Sequence, residues 1–516
     1  MSASQPPVAA GRRGNPWLSL IAVAFGLFMV GLDGSVVSIA NPEIGRDLGA
    51  STAELQWVTN SYLLALAAAL ILGGKLGDRF GRRRYYLIGV AGFTVASVAI
   101  GLAGSIEGVI AFRALQGFFG ALLMPNTLGT LRAVFPPKKF GMAVGIWAMV
   151  SSVSTALGPI VGGLLVQNVS WESVFYINAP IGVIALAFSA YVLPESKNST
   201  GRHKFDVAGV LLLAAGLLVL IFGVVKGETW GWGSGSTIGT IVAGLLIIVV
   251  FGWFETRQEH PLLPMRLFRS PALTIGAVIT AINFFTLLGS IFYIMLYLQN
   301  VRGYTPVMAG VLTLPLSLAS VVASPIGAAL TDRFGPRLTM PVGMVLQGAA
   351  SLGLLFLDTD SSYHVMWPSF VGLGLGVGMV MAASSEAIVG NAPVKDGGVA
   401  GGLQATMLQV GGALGTSVLI SLISSRVGAT LVGSLTDAGV PAPLAQGLSE
   451  AKDAVSMGVA PVTADMTASV RAAVVEGAGT AFINGVHVAA LVAAVLCFAG
   501  ALVAVVGIRR GTPAHQ

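Results

Sequence analysis

Apolar positions in this chain fall in long uninterrupted runs, without the period-2 or period-3.6 alternation of an element half-exposed to water. Runs long enough to cross a bilayer, about 20 residues each, begin near Trp17, Leu55, Tyr85, Ile106, Met142, Phe175, Val207, Thr237, Leu273, Val307, Thr339, Val365, Val399 and Ile483. These fourteen runs predict fourteen transmembrane helices and an all-α membrane protein. The first run is too long for the apolar core of a signal peptide and is expected to persist as a helix. Composition agrees: 55% of residues are apolar and only 10% are Asp, Glu, Lys or Arg, against about 25% charged in soluble domains. A cytosolic enzyme, a secreted disulfide scaffold and a disordered regulator are thereby excluded. The one cysteine, Cys497, sits in an apolar run and has no partner for an intramolecular bridge.

A net charge of +6 resembles a nucleic-acid signal until its placement is followed. With both termini inside, the cytoplasmic segments hold 21 of the 28 basic residues, while the external ones hold six: Arg46, Lys226, Arg302, Arg426, Lys452 and Arg471. Arg113 falls inside a span. This asymmetry sets a multi-pass topology with cytoplasmic termini. The cell membrane is the expected location. Because the excess is spread over short loops, no nucleic-acid partner is expected.

The loop expected after span 2 reads GGKLGDRFGRRR (Gly73–Arg84), and that after span 10 reads GAALTDRFGPR. Matching Asp78 to Asp332 gives an offset of 254, which carries the start of span 1 onto the start of span 9. Two six-helix bundles related by an internal repeat, with two inserted helices between them, are therefore expected. The divisions are a cytoplasmic tail (1–16), a first bundle (17–193), a linker with the inserted helices (194–270), a second bundle (271–508) and a tail (509–516). Residues 433–479 are read as an external loop between the last two helices. Alternation at helical spacing from Leu444 to Met457 suggests a small helical hairpin there, with an unstructured loop as the alternative.

Asp33 lies deep in span 1, where a lone carboxylate must be protonated, paired or hydrated. Arg113 lies in span 4, and both residues fall roughly 10 to 12 Å below the outer face at 1.5 Å per residue. The two readings are a group that exchanges protons and a static ion pair that orients two helices. Span 9 has no matching charge but carries Phe284, Phe285, Phe292, Tyr293 and Tyr297. They are candidates for apolar substrate contact, with packing as the alternative. Glu386, the other intramembrane acid, is a further candidate for coupling or substrate contact; it is expected near the inner end of span 12, where it can also simply reach interfacial water. Asp78 is well placed to meet the positive end of a helix. The run GLGLGVGMV (Gly372–Val380) lacks the preceding strand that a dinucleotide loop needs, and neither a P-loop nor a paired-histidine metal motif is present.

The string Gly74–Arg83 (GKLGDRFGRR) resembles the cytoplasmic signature of the major facilitator superfamily. Four more strings resemble its fourteen-span drug:proton antiporter branch: LDGSVVSIANP (Leu32–Pro42), FRALQGFFGALLMP (Phe112–Pro125), ALGPIVGG (Ala156–Gly163) and FYINAPIG (Phe175–Gly182). The resemblance implies a coupling role for Asp33, with Arg113 and Gln116 in support. It implies a conformational latch built from Gly74, Asp78, Arg79, Gly81 and Arg82 against the cytoplasmic start of span 13. In that family Gly158, Pro159, Gly162 and Gly163 of helix 5 distinguish antiporters.

The expected function is export of amphipathic drug-like or antibiotic compounds by alternating access, driven by the proton gradient with no cofactor and no metal. A monomer is expected, with protons, lipid and a small-molecule substrate as its partners. A proton-coupled importer on the same fold and a membrane-embedded lipid-handling protein remain the alternatives.

Overall fold

The computed structural model describes residues 14–50, 52–196, 206–231, 233–259, 261–463 and 466–508. Most of the tail 1–16 and all of 509–516 lie outside the described residues. Among the described residues, fourteen helices are long and apolar enough to cross a membrane. They are α1 (Pro16–Leu48), α2 (Thr52–Phe80), α3 (Arg82–Gly101), α4 (Ile106–Val134), α5 (Pro137–Asn168), α6 (Asn178–Val192), α7 (Val207–Trp230), α8 (Gly235–Glu255), α9 (Pro271–Leu296), α10 (Pro306–Phe334), α11 (Pro336–Gly353), α12 (Tyr363–Ser385), α13 (Gly397–Asp437) and α14 (Ala468–Gly507). A one-turn helix, Ser173–Tyr176, leads into α6.

Local sequence sets these starts. Side chains of Asn15, Ser105, Asp206, Ser234, Ser270, Thr305 and Thr467 accept from the first free N–H groups of their helices. Proline opens α1, α5, α9, α10 and α11, where its missing N–H costs nothing. The repeat shows in the helix bounds: shifting α2 by 254 gives the bounds of α10. The shift also places Gly81 on Gly335, and each is the single residue between two helices. Their φ values of +118° and +78° lie in the region that disfavours any side chain.

Two expectations are corrected. The segment Gly73–Arg84 is not a loop: α2 continues through Phe80 and α3 begins at Arg82. Its Gly, Asp and Arg residues look polar in sequence, yet they pack helically against neighbours. The external loop is also shorter than 433–479, because α13 runs to Asp437 and α14 begins at Ala468, ahead of the expected Ile483. At 41 and 40 residues, both helices far exceed the roughly 20 that a bilayer needs. Between them lie short helices at Ala442–Gly447 and Lys452–Ser456, with Ala445 and Val455 buried in the second bundle's core.

The apolar core shows where the bundles meet. One cluster joins residues of the first bundle, both inserted helices, the segment 262–267 and the α12–α13 junction. A second contains only residues between Leu287 and Ala493, and a third only residues between Val36 and Phe175. The core is thus continuous across the bundles at the end carrying Arg79–Arg84, called the basic end below. Toward the opposite end it divides into one cluster per bundle.

Candidate functional site

Asp33 and Arg113 are 0% and 1% exposed, on α1 and α4. Arg113 Nη1 donates to Asp33 Oδ2 at 2.6 Å and to Gln116 Oε1 at 2.6 Å. Gln116 Nε2 reaches Asp33 Oδ1 at 2.9 Å. Two residues with no expected role complete the network. Asn178, at the start of α6, donates from Nδ2 to Asp33 Oδ1 at 3.1 Å and to Ser97 Oγ at 2.9 Å. Ser97 on α3 also accepts from Gln116 Nε2 at 3.1 Å and donates to the Phe175 carbonyl at 3.1 Å. Side chains of α4 and α6 therefore meet at the α1 carboxylate, and Ser97 of α3 braces both of the carboxamides that reach it.

Arg113 is held on its other sides as well. Its Nε donates to the Val58 carbonyl at 3.2 Å, and its guanidinium lies over the Tyr62 ring at 4.2 Å. Breaking one partner of a buried pair costs about 3 to 5 kcal/mol, because the other charge is left alone in a poor solvent. Arg113, Gln116 and Asn178 thus all donate to the Asp33 carboxyl group. One acceptor is left over: Asn178 Oδ1 is buried without a hydrogen-bond partner.

The helix 5 glycines bear on the same place. A Cβ at Gly158 would overlap Ser35 Oγ, and one at Gly162 would come within 2.6 Å of Val36 Cγ2. Thus α5 lies directly against α1 two to three residues beyond Asp33. Gly163 is buried beside them. Pro159 lies on α5, and its side chain is outside the described residues.

The second bundle has no counterpart charge. On α9, Asn283 is fully buried with both carboxamide atoms unpartnered, and its backbone carbonyl accepts from Gln347 Nε2 at 3.1 Å. Thr286 Oγ1 lies 3.3 Å from Cys497 Sγ. The aromatic candidates divide. Phe284 packs partly buried against the clusters of both bundles, Phe285 against the second alone. Tyr293 is buried in the second bundle's core, where its hydroxyl donates to Ser290 Oγ at 3.1 Å. Packing accounts for Tyr293.

Glu386 lies near the end of the span Tyr363–Gly390 and is 6% exposed. It opens a π-helical turn, Glu386–Gly390, and its Oε2 has no hydrogen-bond partner. Arg132 of α4 donates from Nη2 to the Gly390 carbonyl at 3.0 Å, which ties that turn to the first bundle.

At the basic end, Asp78 receives Arg82 Nε at 2.7 Å, the Gly398 N–H at 3.0 Å and the Val399 N–H at 3.0 Å. The last two belong to the first turn of α13, where free N–H groups and the helix dipole favour an anion. Arg82 further donates to the carbonyls of Gly129, at 3.0 Å, and Val394, at 2.5 Å. A Cβ at Gly74 would overlap the Gly398 carbonyl, so glycine permits this approach of α2 to α13. Gly81 is the turn described above. The Arg79 guanidinium lies 4.9 Å from the Phe80 ring centroid.

Comparisons place this geometry among known proteins. Residues 23–416 match the family model described as Major Facilitator Superfamily. The chain is 44% identical over 496 residues to the tetracenomycin C resistance and export protein of Streptomyces glaucescens, covering 96% of this chain and 92% of that protein. It is 32% identical to the multidrug efflux pump LfrA of Mycolicibacterium smegmatis, with 96% of each chain covered. The puromycin resistance protein pur8 of Streptomyces alboniger is 34% identical, covering 80% of this chain and 83% of that one. Among solved structures, the human organic anion transporter MFSD10 superposes with a TM-score of 0.62 at 12% identity, over 97% of this chain and all of that one. That likeness concerns the fold alone.

Proposed function

The chain belongs to the major facilitator superfamily, and on that premise we propose that this transporter is a proton-coupled antiporter. It exports amphipathic drug-like or antibiotic compounds by alternating access. The observation that carries this reading is the Asp33 network: one fully buried carboxylate, held by Arg113, Gln116 and Asn178. A proton on Asp33 removes the charge those donors address, so proton binding and the packing of α1 against α4 and α6 are linked. The export activity named for the relatives supports the outward direction.

The basic end faces the cytoplasm by the positive-inside rule, and both termini lie there. The Asp78–α13 contact then closes the cytoplasmic side, and the divided core at the opposite end belongs to an outward-facing arrangement. Apolar surface from the second bundle, including Phe284 and Phe285, receives the amphipathic substrate. The proton gradient of the cell membrane supplies the energy, without cofactor, and a monomer suffices.

The test is transport in proteoliposomes under an imposed pH gradient, with tetracenomycin C and puromycin as probes and no ATP present. The reading predicts uphill movement of at least one probe against proton flow, abolished by an uncoupler. Movement in the same direction as the protons, or movement insensitive to the uncoupler, contradicts it.

A further inference from the structure

At the base of the inserted helices two carboxyl groups fail to close their hydrogen-bond accounts. Asp206 caps α7, with Oδ1 accepting from the Gly209 N–H at 2.7 Å. Glu255, the last residue of α8, is 2% exposed, and its Oε2 accepts from the Leu263 N–H at 2.9 Å. The remaining oxygens, Asp206 Oδ2 and Glu255 Oε1, are buried without a hydrogen-bond partner. A Cβ at Gly209 would overlap both of them, so the two unpartnered acceptors converge on one point. Ionised carboxylates only accept. Two of them facing each other away from water repel, and each bears the cost of an unmade bond. One proton between them makes one group a donor and satisfies both, as in other carboxyl dyads.

The surroundings tie this pair to the gate. Leu263 belongs to residues 256–270, the linker from α8 to the second bundle, and Leu262, Leu263 and Leu267 of that linker are buried. Lys75 Nζ on α2 donates to the Pro261 carbonyl at 2.6 Å, and Arg266 Nη2 pairs with Asp396 Oδ2, just before α13, at 3.0 Å. The linker therefore holds both bundles where the Asp78 latch closes. Lys75 is the charged group that faces the pair from α2, with Asp78, Arg79 and Asp396 ranged around it. At the end of α8, Arg257 lies over the Trp253 ring at 4.2 Å.

We propose that Asp206 and Glu255 form a second binding site for a single proton, separate from Asp33, whose occupancy holds the linker 256–270 against the basic-end gate. When the proton leaves to water, two like charges oppose each other, and Glu255 swings away from the Leu263 N–H that it anchors. The site stands whether or not Asp33 couples transport.

Infrared spectra of the full chain in detergent micelles, taken through a pH titration, read the C=O band of a protonated carboxyl group. Hydrogen exchange of residues 256–270 across the same range, corrected for intrinsic rates, reads the linker. The proposal predicts one acid band that is lost in Glu255→Gln, lost or shifted in Asp206→Asn, and retained in Asp33→Asn. Linker exchange should accelerate as that band disappears in the wild type, and should stay slow in Glu255→Gln, whose amide still donates to Asp206. An acid band unchanged in Glu255→Gln overturns the proposal. So does a band that moves with sodium or potassium concentration at fixed pH, which would mark a metal-cation site. Identical pH dependence of linker exchange in the wild type and Glu255→Gln overturns it as well.

Discussion

The two bundles share a scaffold but not a charge. Shifted by 254, Asp33, Arg113 and Gln116 fall on Leu287, Trp367 and Phe370, while Ser97 falls on Ser351. The first bundle thus buries a carboxylate, a guanidinium and two carboxamides in one connected network. At its centre the second buries hydroxyls, Asn283, Gln347 and a thiol, with no ion. Each buried charge brings a desolvation cost of several kcal/mol that only close partners repay. An acid at that centre would need its own arginine, and the position equivalent to Arg113 is Trp367. The repeat has kept what packing requires, such as the Gly81 and Gly335 turns, and has let the chemistry diverge. One bundle centres on a buried ion pair, and the other offers neutral and apolar contacts.

The most damaging way to break this comparison is to make the first bundle resemble the second by halves. Arg113→Ala leaves Asp33 buried without its ion partner, and should cost about 3 to 5 kcal/mol of stability. Thermal unfolding in micelles would show it, and Asp33→Asn in the Arg113→Ala background should restore part of the loss. A smaller effect is expected at the latch. Asp78→Asn weakens charge-assisted contacts to Arg82 and to the α13 N–H groups, each worth about 1.5 to 3 kcal/mol. The variant should insert normally yet expose the basic end, read as faster labelling of cysteines placed along the first turn of α13. The smallest effect belongs to the second bundle. Tyr293→Phe removes one neutral hydrogen bond to Ser290, worth about 1 kcal/mol, and should leave transport unchanged. A transport defect there, with stability intact, would give Tyr293 a substrate role that its burial argues against.

How much of this was legible beforehand follows from which forces sequence exposes. Span number and the repeat were readable because the bilayer imposes a length and a hydropathy on each crossing. The meeting of Asp33 and Arg113 was readable because each is a lone charge in an apolar run at similar depth. Asn178 and Ser97 were not, since a neutral polar residue in a span has many possible partners and no spacing names the right one. Asn178 did lie in a recognised string, FYINAPIG, and a carboxamide amid apolar residues was the available signal. The bounds of α13 and α14 escaped because hydropathy registers apolar runs, whereas the ends of both helices are set by packing with the short helices between them. Asp206 and Glu255 sit at helix ends, where carboxylates look like ordinary solvated caps.

Proton release on substrate addition tests the central claim most directly. In detergent, with weak buffering and a pH-sensitive dye, tetracenomycin C or puromycin is added to the wild type and to Asp33→Asn across a range of pH. If one carboxylate alternates between proton and substrate, the wild type releases protons in a saturable manner, and substrate affinity rises as pH rises, by the reciprocal factor. The Asp33→Asn variant should bind at most neutral compounds, release no proton, and fail to pump uphill after reconstitution. Undiminished proton release together with uphill export in Asp33→Asn would place coupling elsewhere in the molecule and contradict the account.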